Sequence, residues 1–158
     1  MASEGATVGL RAYEPGDLAA VLSLFDGNVP EFFAAGERAE FEEFLKAGPA
    51  TPYLVLEQAG SVVAAGGVSV DAAGWVTLDW GMVARPLQRG GLGRRLFTAR
   101  LALARSMAGS RGLRLETSQK TCGFYERFGF RVTAVRAGGF GPGLDAVAME
   151  QRWGEVGA

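Results

Sequence analysis

The most chemically specific stretch of this chain is Gln88-Arg89-Gly90-Gly91-Leu92-Gly93-Arg94-Arg95. It follows an apolar run that Arg85-Pro86 closes and it precedes a helical pattern, so the glycines fall where a strand hands over to a helix. A helix start presents N–H groups without intrahelical acceptors and a partial positive charge, and glycine lets an anion reach the backbone. The turn suits a pyrophosphate, with Arg89, Arg94 and Arg95 as cationic donors beside it. Glycines at such a turn also serve a tight bend with no ligand at all. A dinucleotide fingerprint fits less well: Gly91-Leu92-Gly93-Arg94-Arg95-Leu96 lacks the third glycine, and the segment comes mid-chain after a meander.

Proton transfer is limited by what the chain lacks. With no histidine and a single cysteine, Cys122, it excludes an internal disulfide, a common zinc site and a Ser/Cys–His pair, and no metal is expected. Carboxylates, tyrosine, lysine, the thiol or water must do that work. Cys122 could carry an acyl group, but a lone cysteine on a short helix with no histidine to activate it reads as a packing residue. The net charge of −1 is unevenly spread: three basic side chains face twelve acidic ones in residues 1–84 (−9), and thirteen face five in residues 85–158 (+8). That split suggests an anionic ligand on the C-terminal half and a cationic one near the N-terminal half. The basic residues are mixed into a helical apolar pattern without a recognised binding motif, which argues against nucleic acid.

The elements that must position these residues follow from periodicity and turn chemistry. Val8–Tyr13 alternates as a strand, and Asp17 is placed to cap a helix running to about Phe25. A second helix is predicted from Pro30 to about Lys46, ended by Gly48-Pro49. Tyr53–Gln58, Val62–Val70 and Trp75–Val83 read as an antiparallel meander, with Ala59-Gly60-Ser61 as a hairpin turn. Leu92, Leu96, Ala99, Leu103 and Met107 then form one apolar helical stripe. Leu113–Thr117 is a strand, Thr121–Phe128 a short helix, and Phe130–Val135 and Ala146–Trp153 are strands around a glycine-rich loop at Gly138–Gly143. A chain of 158 residues suits one domain over 1–158, with its core at about 8–153. No stretch approaches the roughly 18 apolar residues of a membrane span. The N-terminus shows no leader pattern, which makes the cytoplasm the expected location.

Gln88-Arg89-Gly90-Gly91-Leu92-Gly93 resembles the Arg/Gln-x-x-Gly-x-Gly/Ala signature of the GCN5-related N-acetyltransferase (GNAT) family. The likeness continues through Leu113–Thr117 into Phe124-Tyr125-Glu126-Arg127-Phe128-Gly129-Phe130, similar to that family's Phe-Tyr-x-x-x-Gly-Phe segment, and the order of elements matches from about residue 8 to 153. The resemblance implies an α/β (α+β) fold: a mixed, mostly antiparallel sheet of about six to seven strands, flanked by about four helices and splayed between strands 4 and 5. It implies acetyl-coenzyme A as acyl donor, its pantetheine arm bonded by the backbone of Met82 and Val83. Gln88, Arg89, Gly90, Gly91, Leu92, Gly93 and Arg94 would hold the pyrophosphate. Ser118 stands where an asparagine often does, so its contact with the cofactor is expected to be weaker or water-mediated. Tyr125 would be the general acid that protonates the departing thiolate, and a bulged backbone near Met82–Val83 would donate N–H groups to the thioester carbonyl.

The general base stays open between Asp79, on the strand leading to the motif, and a water relay. Thr77 occupies about the place where some relatives carry a glutamate, and Glu116 beside Arg114 reads as an ion-pair member. The expected reaction is direct acetyl transfer in a ternary complex to an amine, either a small molecule or a peptide, with a cationic acceptor favoured by the acidic half and with Phe32 and Phe33 near its entrance. A longer acyl donor, or an acyl-coenzyme A sensor without turnover, is the alternative. Pairing of last strands is common in such folds and makes a homodimer an expectation.

Overall fold

The computed structural model describes residues 7–29, 35–88 and 90–154. Its strands are β1 (Val8–Ala12), β2 (Tyr53–Gln58), β3 (Ser61–Val70), β4 (Trp75–Val83), β5 (Gly112–Thr117), β6 (Arg131–Arg136) and β7 (Ala146–Arg152). The α-helices are α1 (Leu18–Gly27), α2 (Arg38–Lys46), α3 (Leu92–Ser106) and α4 (Cys122–Glu126). The seven strands hydrogen-bond in the order β1-β2-β3-β4-β5-β7-β6. The sheet is mixed: β1–β2, β2–β3, β5–β7 and β6–β7 are antiparallel, while β4 and β5 run parallel.

The chain divides into two compact units, one of Met1–Ser69 with Asp79–Arg100 and one of Val70–Leu78 with Leu101–Ala158. In the first, strand alternation separates two apolar clusters. Val55, Ala65 and Met82 pack with Val21, Phe25 and Phe41 of α1 and α2. Leu56, Val63 and Ala64 pack instead with Leu92 and Leu96 of α3. The β2–β3 turn is Ala59-Gly60, with φ of +53° and +81°, the left-handed pair that matches strand twist in a two-residue hairpin.

Three details differ from the sequence reading. Asp17 stands at the start of α1 without capping it, because its carboxylate turns back to the Glu14 N–H (2.8 Å) and to Arg11 (2.8 Å). On α3 the buried positions are Leu92, Leu96, Phe97, Arg100, Leu101 and Ala104. Ala99, Leu103 and Met107 are only half-buried, since the helix turns a slightly different face inward than the leucine spacing suggests. The second helix begins its α-helical turns at Arg38, after a short 3-10 turn at Ala35–Glu37. Its expected start at Pro30, together with Phe32 and Phe33, lies outside the described residues, as does Arg89.

In the second unit β4 and β5 pair at Trp75↔Gly112 and Val76↔Leu113. Beyond those pairs, Thr77 and Leu78 of β4 and Arg114, Leu115 and Glu116 of β5 line a cavity instead. This is the local parting of strands 4 and 5.

Candidate functional site

β4 carries one residue more than the strand it faces. Asp71 N–H donates to Trp75 O and Ala84 N–H to Val63 O, both at 2.9 Å, so positions 75 to 84 are set against positions 63 to 71. The surplus falls at Trp80, whose φ of +43° is left-handed, a conformation that costs a non-glycine residue roughly 1–2 kcal/mol. Neighbours hold it there: the Trp80 ring stacks on Phe41 with centroids 4.7 Å apart, and the Tyr53 hydroxyl donates to its carbonyl at 2.8 Å. Burial pushes the Tyr53 phenol well above its ordinary range, so it stays a donor. The extra residue so lies at Trp80, two residues before the Met82–Val83 position expected for a bulge.

Past Val83 the chain makes a 3-10 turn at Arg85–Leu87 and enters α3. Gly91 sits at φ +87°, and a Cβ built on Gly91 or Gly93 meets nothing within 4 Å. Among the described residues the α3 ladder opens with the Arg95 N–H donating to Gly91 O at 3.1 Å, so Leu92 and Gly93 lie in the first turn, whose N–H groups find no acceptor within the helix itself. Leu92 and Leu96 are buried and anchor this turn. An open, donor-rich helix start results, of the kind that takes a phosphate.

Gln88 holds the loop from beneath. Its side-chain amide donates to the Asn28 Oδ1 (2.6 Å) and to Val83 O (3.1 Å), and Asn28 Nδ2 donates to the same Val83 carbonyl (3.1 Å) and to Leu24 O (2.8 Å). The Val83 carbonyl thus accepts two amides, which fill its lone pairs. Ala84 gives its N–H to β3, so strand alternation turns the Val83 N–H to the opposite edge. Met82 is buried among α1 and α2 side chains, so its side chain is turned into the core.

The second unit holds the other predicted residues. A cavity of about 470 Å³ is lined by Thr77, Arg114, Glu116, Tyr125, Thr133 and Glu150, among others. Tyr125 is half-buried on α4, its ring edge-on to Phe124 (5.0 Å) and Phe130 (6.3 Å). Ser118 opens the turn into α4: its Oγ accepts the Lys120 N–H (3.1 Å) and its carbonyl accepts those of Thr121 and Cys122 (both 3.0 Å). Cys122 is half-buried beside Gln119 O. Glu116 pairs with Arg136 (3.5 Å), while Arg114 lies over the Trp75 ring (3.8 Å) and meets Glu150 (3.4 Å). Asp79 belongs to the first unit, and its carbonyl accepts from Arg100 at 3.2 Å. The structure so brings Met82, Val83, Gln88 and Gly90–Arg94 together in one unit, and Tyr125 with Ser118 in the other.

Comparison with protein families matches residues 18–130 to the acetyltransferase (GNAT) family. The chain belongs to the GNAT acetyltransferase family. Among solved structures, a GNAT-family protein from Desulfovibrio desulfuricans is 26% identical, with 92% of this chain and 99% of that chain covered and a TM-score of 0.76. The yncA protein from Salmonella typhimurium, solved with acetyl-CoA, is 22% identical, with 96% and 97% covered and a TM-score of 0.72. Ribosomal-protein-alanine N-acetyltransferase from Brucella melitensis is 21% identical, with 91% and 99% covered and a TM-score of 0.71. A comparison with curated protein sequences gives no match. Among the described residues no group of His, Cys, Asp or Glu could hold a metal ion, and no helix is long and apolar enough to cross a membrane.

Two residues of this GNAT chain escaped the sequence reading. Asn28 is 1% exposed and ties α1 to the glycine loop; the one signal was its place just past a helix end. Arg100 is 6% exposed. Its signal was phase, since it follows Leu92 and Leu96 at successive steps of four.

Proposed function

We propose that this chain transfers an acetyl group from acetyl-coenzyme A directly to an amine in a ternary complex. The observation that carries the reading is the start of α3, where Leu92 and Gly93 lie in the first turn and Gly91 and Gly93 leave open space above the backbone. The pyrophosphate takes those N–H groups, with Arg89 and Arg94 contributing charge. The edge of β4 at Met82 and Val83 receives the pantetheine arm and the thioester carbonyl. Carbon–nitrogen bond formation gives an oxyanion that backbone N–H groups stabilise; its collapse breaks the carbon–sulfur bond, and the Tyr125 hydroxyl protonates the departing thiolate. The amine attacks in its unprotonated form; the proton its nitrogen sheds after attack passes to water or to Asp79, and solvent returns one to the Tyr125 oxygen, which completes the balance. Ser118 makes a secondary contact with the cofactor.

The acceptor proposed is a cationic amine, small or peptidic. Its support is the surplus of carboxylates in residues 1–84, which persists although Asp17 and Glu57 pair with Arg11 and Asp26 with Arg38. The cytoplasm is the proposed location. A homodimer through β6 is proposed as well, supported by the exposure of all six of that edge strand's residues. A thiol-release screen with acetyl-coenzyme A against polyamines, amino acids, aminoglycosides and peptides tests the reaction. Turnover with a cationic amine is expected; tight coenzyme binding without thiol release across the panel would make the protein a sensor.

A further inference from the structure

Arg100 is a buried cation that no step above uses. Its Nε and Nη2 donate to Gly67 O at 3.1 and 3.0 Å, and Nη2 also donates to Asp79 O at 3.2 Å. Those carbonyls belong to β3 and β4 beside the bulge, where the ladder between the two strands is interrupted and buried acceptors need another donor. Glycines make the room. A Cβ on Gly66 would lie 2.9 Å from the guanidinium carbon, and one on Gly81 would overlap Nη1. A trans peptide points its N–H opposite its C=O, so the hold on the Asp79 carbonyl turns the Trp80 N–H away from α3. The left-handed Trp80 is thereby fixed from both sides: Tyr53 grips its carbonyl and Arg100 the carbonyl before it.

We propose that Arg100 is a positioning residue for acetyl transfer, fixing the β4 bulge so that the backbone N–H groups that follow it meet the thioester carbonyl in one orientation. The inference rests on the reading that β4 holds the acyl group. Isotope-edited infrared spectra of protein-bound acetyl-coenzyme A, labelled at the acetyl carbonyl, report the polarisation of that bond without need of an acceptor. Wild type is expected to lower the stretching frequency relative to free acetyl-coenzyme A, and Arg100→Met to lose most of that shift. With a working amine, Arg100→Met should lower kcat about 100-fold, while the Kd of coenzyme A, which lacks the acetyl group, stays unchanged. Arg100→Lys keeps the cation with fewer donors and should recover part of both signals. Gly81→Ala leaves the arginine present but displaced, and it decides the matter if Arg100→Met does not fold. Folded variants that keep the carbonyl shift and kcat overturn the proposal, as does a parallel loss of kcat and coenzyme A affinity. A wild type that binds coenzyme A yet shows neither carbonyl shift nor thiol release removes the acetyl-transfer reading itself; a wild-type shift that the variants retain removes Arg100 alone.

Discussion

Tyr125 and Asp17 show how differently single side chains can be read. The sequence singled out Tyr125 by its place in Phe-Tyr-x-x-x-Gly-Phe on a short helix; the structure sets it on α4 at the wall of a cavity, and its acid role is the proposal. Tyr125→Phe is expected to lower kcat about 100-fold, the lower end of a general acid's contribution, and to leave coenzyme A affinity intact; paired stopped-flow and calorimetric measurements separate the two. Asp17 looked like a helix cap and is an ion-pair partner. Its hydrogen bonds from Arg11 hold its carboxyl below the ordinary range, with the Glu14 N–H adding to the effect against the opposing pull of burial. A carboxyl whose folded pKa is depressed stabilises the fold above its unfolded value and stops doing so as pH falls through the folded one. Asp17→Asn should therefore cost about 2 kcal/mol at neutral pH, and the gap to wild type in urea unfolding should narrow as pH falls through and below the ordinary carboxyl range. Asn28 and Arg100 were not legible, because the Gln88–Asn28 bond spans 60 residues and the Arg100–Gly67 bond 33. Periodicity reports which face is buried, not which distant carbonyl waits there.

At the scale of elements, strands were easier to find than their defects. β2 and β4 have the limits that alternation and turn residues suggest, since Gly60, Gly74 and Pro86 punctuate them. The bulge in β4 left only a faint trace, a glycine at 81 inside a strand. On α3 the leucines pointed to a stripe through Leu103, whereas burial follows Phe97, Arg100 and Leu101; a purely apolar count misplaces a face that contains an arginine. Two turns invite tests. Ala59 holds a left-handed φ of +53° where glycine pays no steric penalty, so Ala59→Gly should raise stability by about 0.5 kcal/mol, read as a higher urea midpoint with unchanged slope. Gly91→Ala faces the opposite situation at φ +87°. It should cost about 1 kcal/mol and weaken coenzyme A binding more than Tyr125→Phe does.

For the molecule as a whole, charge and covalent order speak separately. The −9 half contains α1 and α2, and the +8 half begins at Arg85, just ahead of the glycine loop. If the acidic half gathers a cationic amine, raising salt from about 50 to 300 mM should raise the KM for that amine several-fold, while a neutral amine of the same size shows no such trend. The glycine loop obeys another rule. Its footing is Gln88 and Asn28 crossing on the Val83 carbonyl, and no member of that trio gains or loses a proton in any living compartment. When a cell acidifies, the small unprotonated fraction of a cationic amine shrinks further, yet this footing of the loop keeps its hydrogen bonds. Hydrogen exchange at Gln88 and Gly90, corrected for its intrinsic rate, should then be flat from about pH 5.5 to 8.5. On the proposed reaction, mild acidification would slow turnover through the amine and not through the support of the glycine loop.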